Sequence, residues 1–347
     1  MLGEFWYNKN YCHWAWGGLV FLIFTIWIHV QLAVAMNIWR KEFFDLMQNA
    51  LTYQSSPDEG YAIFVNKLIS LKYITSGFSN LYRPSFIEIV LPYIGMAILT
   101  RWFSRLFGFQ WREALTFSYI HKWRYVINEV EGASQRIQED CNRWARIIES
   151  LGMQCIRSIL TLIAFIPILW EYSDRIGIRM LQSFDGALVW VCLTASLGGM
   201  IISWFISWQL PDLEYNNQRV EAAFRKDLVL GEDDKTYANP NVLFSLFFGI
   251  KYNYYRLYLH FSYFDLWSQG FTQFIYILPY LLMGPSIFTG MISLGIFMQV
   301  TAAFSNVHSG FSVFFNNWIA ITELRSIWKR LHEFEENIKM HGVMQAI

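Results

Sequence analysis

Residues 131 to 149, EGASQRIQEDCNRWARIIE, and residues 211 to 234, PDLEYNNQRVEAAFRKDLVLGEDD, decide how this chain is read. Both are helical in pattern and dense in paired acids and bases, and both adjoin apolar segments long enough to enter a bilayer. Carboxylates on helices that run into a membrane are costly and mark ion or substrate pathways. The expectation is an all-α integral membrane protein that moves something.

Composition agrees. Hydrophobic residues make up 54% of the 347 and charged residues 16%, well under the roughly 25% of an average soluble domain. Aromatics reach 19%, with 16 Trp, which suits the two membrane interfaces. The formal net charge is zero, so no whole-chain argument for nucleic-acid binding exists. Cys12, Cys141, Cys155 and Cys192 show neither CxxC nor Cys/His spacing and read as small apolar packers. No nucleophile triad, metal motif or cofactor loop is present in the pattern, so an enzyme is not expected. The first apolar run has no small-residue cleavage site and reads as a retained anchor.

A helix needs about 20 mostly apolar residues to cross the hydrocarbon core. Trp14 to Met36 makes the first span, and a second centres on Ile89 to Thr100. Ser158 to Trp170, with a lead-in from Leu151, makes the third, and Gly186 to Leu210 the fourth. From Leu266 to Thr322 no Asp, Glu, Lys or Arg occurs. Met283-Gly284-Pro285-Ser286 is expected to divide this stretch into spans five and six. The links between spans two and three and between four and five carry most of the Lys and Arg, as does the tail. These links and both termini are therefore expected on the cytoplasmic side. The loop over residues 41 to 84 is expected outside, with a turn at SSPDEG (55 to 60) flanked by short interfacial helices. Residues 110 to 150 hold no proline and one glycine, Gly132, and residues 212 to 230 hold neither. Helix is thus expected to run on beyond the membrane until Gly231, Asn239 and Pro240 stop it. Residues 1 to 347 read as one transmembrane domain.

Five motifs suggest relatives: NIWRKEFFDLMQNAL (37 to 51), EGASQRIQED (131 to 140), TLIAFIP (161 to 167), LPDLEYNNQRVEAAFRKDLVLGEDD (210 to 234) and WIAITELRSIWKRL (318 to 331). With them the chain resembles the SbmA/BacA peptide-antibiotic importers of bacterial inner membranes, whose better-known members carry a further hydrophobic segment ahead of the first span. A WRxxLTxxYxxxW pattern from Trp111 to Trp123, followed by QRIQED, is similar to the membrane half of peroxisomal-type ABC transporters. The resemblance implies an ABC-exporter-like membrane fold without a nucleotide-binding domain. It also implies a homodimer that imports peptides down the proton gradient by alternating access, in contact with membrane lipid. No GxxxxGK[ST] loop, the phosphate cradle of an ATPase, occurs in the 347 residues, and the chain stops where a fused ATPase domain would be expected to start.

For proton coupling the acids matter. On one helix Glu214 and Glu221 are about 700° apart and Glu221 and Glu232 about 1100°, so the three share a stripe, with Arg225 on the same face as a charge partner. Glu131 and Glu149, eighteen residues apart, also face one way. Burial and mutual repulsion let such carboxylates hold and release protons near neutral pH. The resemblance places the functional acids in the same motifs, at Glu139, Glu149, Glu214, Glu221 and Glu232. The competing reading is a solvated face laced with pairs such as Glu221–Arg225 and Glu139–Arg143, and Asp140, Asp227, Asp233 and Asp234 are assigned to it. Glu88, His29 and His308 read as interfacial or packing groups. The alternatives to a proton-driven importer are the membrane subunit of an ABC transporter with a separate ATPase chain, and a factor acting on envelope lipids.

Overall fold

A computed structural model describes residues 3–75, 83–126, 133–235 and 239–342, and among these the only regular structure is helix. The long helices are α1 (Cys12–Gln48), α2 (Pro57–Ile69), α3 (Phe86–Trp123), α4 (Cys141–Glu171), α5 (Ala187–Ser207), α6 (Leu210–Asp233), α7 (Pro240–Phe288), α8 (Leu294–Asn316) and α9 (Trp318–Gly342). With a rise of about 1.5 Å per residue, α1, α3 and α7 are about 55 to 75 Å long, roughly twice the hydrocarbon thickness. Apolar spans therefore do continue as helix outside the membrane.

Five helical stretches among the described residues are long and apolar enough to cross: Cys12–Gln48, Phe86–Trp123, Ala133–Glu171, Ala187–Glu232 and Pro240–Phe288. The expected sixth span corresponds to α8, which at 23 residues has the length but is diluted by Gln299, Asn306 and His308. The reason is packing. Phe297, Val300, Ala303, Phe304 and Val307 are buried, so α8 meets protein on one face and need not be apolar all round.

The expected break at Met283–Ser286 is corrected. Helix α7 runs through Gly284 and Pro285 and ends at Phe288. Pro285 costs only one backbone bond so close to a helix end. The chain turns instead at Gly290, whose φ of 72° is a left-handed conformation open to glycine. Ser286 Oγ donates to Arg175 O at 2.6 Å, which anchors this end. The loop over residues 41 to 84 does carry short helices, α2 and the single turn Lys72–Thr75. Pro57 already stands at the start of α2, so the turn ends there.

The described chain forms two compact units, residues 1–192 with 282–347, and residues 193–281. In the first, α1, α3, α4 and α9 enclose a core in which Phe5, Leu22, Phe107, Trp111, Leu115, Tyr119, Trp144, Ile327 and Leu331 are buried. Glycines permit the closest approaches there: a Cβ on Gly18 would lie 2.7 Å from the Phe107 ring, and one on Gly295 would strike the Lys41 carbonyl. In the second unit, the end of α5, all of α6 and most of α7 pack as a thin helical group. It is held by Trp267 Nε1 donating to Ser203 Oγ at 2.8 Å and by Phe224 against Phe247. Phe205, Trp208, Phe244, Phe248, Tyr252 and Tyr255 stay exposed.

Candidate functional site

The RIQED segment departs from the α-helical path that its sequence pattern suggests. Arg136–Asp140 winds as a π-helix, preceded by the turn Ala133–Gln135 and followed directly by α4. Such a widened turn holds one more residue than an α-turn and shifts the facing of everything after it. The expected alignment of Glu131 with Glu149 rests on Glu131, which lies outside the described residues.

The shift gives the two adjacent acids opposite fates. Asp140, expected on a solvated face, has a side chain only 3% exposed. Arg330 of α9 grips it with both prongs, Nη2 to Oδ1 at 2.7 Å and Nε to Oδ2 at 3.0 Å, and Arg136 Nη1 donates to Oδ2 at 2.9 Å. Burial by itself would push the Asp140 carboxyl up. The hydrogen bonds and charges of Arg330 and Arg136 outweigh it and hold the carboxyl below its ordinary value. The same hydrogen bond raises Arg330 in turn. Tyr119 Oη donates to Glu335 Oε1 at 2.9 Å, a second tie from the first unit's core to α9. Sequence reasoning missed Asp140 and Arg330, although a signal existed. Ile137, Cys141, Trp144 and Ala145 are all buried, and Asp140 falls within their helical stripe.

Glu139 points the other way. Its side chain is 44% exposed, takes Arg143 at 2.6 Å and receives Gln135 Nε2 at 3.3 Å, while Arg143 also reaches Glu323 at 3.5 Å. Glu149 is partly buried where α3 and α4 approach so closely that a Cβ on Gly108 would sit 3.2 Å from the Glu149 Cβ. Its carboxylate has no hydrogen-bond partner among the described residues, and Arg105 supplies the nearby positive charge.

In the second unit α6 is an uninterrupted α-helix, so Glu214, Glu221 and Glu232 do share a line. Glu214, Glu232 and Arg225 are exposed and Glu221 is partly buried, next to the inward stripe of Leu213, Asn217 and Phe224. Glu221 and Arg225 form no ion pair here, which leaves both charges open to other partners.

The expected structural groups have structural surroundings. Glu88 completes a capping box with Ser85 at the start of α3 and also accepts from Ile74 N at 3.0 Å. His29 stacks on Tyr93 with ring centres 4.1 Å apart.

Beside the π-turn lies a cavity of about 410 Å³ lined by Arg112, Ser134, Gln135, Gln138, Glu139 and Asn142. No apolar side chain contributes to its wall. It joins α3, the π-turn and the start of α4 in one polar site.

A model of the SbmA/BacA-like family matches residues 8–339. The chain belongs to that family. This SbmA/BacA-like chain is also 26% identical, over 358 aligned residues, to the inner membrane ABC transporter ATP-binding protein YddA of Escherichia coli strain K12, covering 97% of this chain and 59% of that protein. An uncharacterized ABC transporter ATP-binding protein of Synechocystis is 24% identical over 270 residues, 72% of this chain and 39% of its own. ABC transporter D family member 2, chloroplastic, of Arabidopsis thaliana is 24% identical over 256 residues, 69% of this chain and 34% of that protein. The chain thus spans 59% or less of the length of these relatives. The fold is that of an ABC-exporter-like transmembrane domain with five candidate spans among the described residues, and family and relatives together support a multi-pass membrane transporter.

Proposed function

We propose that this chain imports peptides and peptide-like antibiotics across the bacterial inner membrane, driven by the proton gradient. Residues 1–347 act as one transporter domain that works as a homodimer by alternating access. The observation that carries the reading is the line of carboxylates Glu214, Glu221 and Glu232 on α6, continuous with the apolar α5. Protons entering such a line lose its mutual repulsion step by step, and Glu139 and Glu149 extend the set of exchangeable acids in the first unit. One proton crossing about 100 mV releases about 2.3 kcal/mol, enough for roughly a fifty-fold accumulation.

The dimer is supported by the second unit, which leaves its large aromatics uncovered. A second copy and membrane lipid are the natural covers for them. The relatives named as ATP-binding proteins favour one other reading, a membrane subunit energised by a separate ATPase chain. Purified protein reconstituted in vesicles separates the two. Uptake of a labelled peptide under an imposed pH gradient without ATP is expected. Uptake that appears only with a partner ATPase and ATP would overturn the proton-driven reading.

A further inference from the structure

We propose that the polar cavity beside the π-turn is a subsite for the C-terminal carboxylate of a peptide, with Arg112 as its receptor. The proposal rests on the transport reading for its choice of peptides as ligands. Arg112 is partly buried in the wall of the cavity and makes no hydrogen bond or ion pair among the described residues. A guanidinium drawn partly out of water without a partner carries a desolvation cost that an incoming carboxylate removes. Its planar fork fits a carboxylate with two parallel hydrogen bonds.

The remaining walls suit the rest of a peptide end. Gln135, Gln138 and Asn142 offer amide donors and acceptors, and Ser134 a hydroxyl, matching the N–H and C=O groups of a peptide backbone. Glu139 is engaged by Arg143 at 2.6 Å, a guanidinium it shares with Glu323 at 3.5 Å. Arg112 is the one cation among the lining residues. Its fork matches a singly charged carboxylate, whereas a dianionic phosphate would add a second negative charge beside the Glu139 carboxylate. A volume of about 410 Å³ admits a short peptide end but not a folded chain.

The test is equilibrium binding of trialanine and of its C-terminal amide to full-length protein in detergent, with no gradient imposed. The wild type is expected to bind the free acid at least tenfold more tightly than the amide, the size of effect that a charge-assisted pair produces. Arg112→Gln should reduce the free acid to the affinity of the amide and leave the amide unchanged. Arg112→Lys, which keeps the charge but not the fork, should fall between them and guards against a folding defect. Equal binding of acid and amide by the wild type overturns the proposal, as does an acid preference that survives Arg112→Gln, or no binding of either peptide. Because no gradient is used, a preference for the acid in a protein that never accumulates peptide would leave the subsite standing and remove only the transport reading.

Discussion

At the scale of single residues, the informative contrast is between neighbours. Glu139 and Asp140 are adjacent and chemically alike, yet one side chain is 44% exposed and the other, 3% exposed, is sealed between two guanidiniums. Bidentate Arg330 makes Asp140 dependent on it. Arg330→Gln is expected to destabilise the protein by about 3 kcal/mol, because a buried carboxylate loses its main counter-charge. Adding Asp140→Asn should restore part of that loss, and a double-mutant cycle of thermal unfolding in detergent measures the coupling. On α6, Glu221→Gln mimics the protonated acid at nearly constant volume. It should leave folding and peptide binding intact and abolish gradient-driven accumulation in vesicles, while Glu221→Asp keeps part of the activity and Asp234→Asn behaves as wild type. Accumulation by Glu221→Gln at the wild-type level would return that helix to the solvated-face reading.

At the scale of elements, α9 is fastened to the ends of α3 and α4 by Tyr119–Glu335, Asp140–Arg330 and the buried Ile327, Leu331 and Phe334. The polar part of this fastening depends on pH in a definite direction. The folded-state pKa of Asp140 lies below its unfolded value, so its contribution is complete above the ordinary carboxylate range and disappears as pH falls through the depressed folded value. Protease cleavage within α9 should accordingly stay slow at neutral pH and quicken in strong acid. In Asp140→Asn the cleavage rate should lose that pH dependence. The π-turn that aims Asp140 at Arg330 lies in the QRIQED stretch, which has neither proline nor an internal glycine. Its cause is therefore tertiary, the seating of Ile137 and Cys141 in the core.

At the scale of the whole molecule, the distribution of Lys and Arg and the helix extensions set the topology prediction. A tag inserted near Asp58, in the first turn of α2, should be labelled by an impermeant reagent from the periplasm. A tag near Tyr237, in a segment outside the described residues, should be protected. The reverse pattern would invert the orientation. The exposed aromatics of the second unit lead to a further expectation, that purified protein in mild detergent is dimeric and that activity follows the dimer. A monomer fully active in reconstituted vesicles would contradict it.

The sequence by itself determined the all-α membrane class, the first five spans, the helical extensions and the α6 carboxylate line. Each of these depends on local properties: apolar run length, the absence of Pro and Gly, and a fixed 3.6-residue period along an unbroken helix. Only the tertiary structure decided the rest. Helix α7 runs past Pro285 to Phe288 and the chain reverses at Gly290, because a proline near a helix end costs little, whereas a left-handed residue turns the chain. Helix α8 is less apolar than a lipid-facing span because its buried side meets protein. The assignment of Asp140 to the interior and Glu139 to solvent required knowing that α9, 190 residues further along the chain, supplies the guanidinium that makes a buried carboxylate tolerable. A helical period can place an acid on a face, but it cannot say what that face will meet.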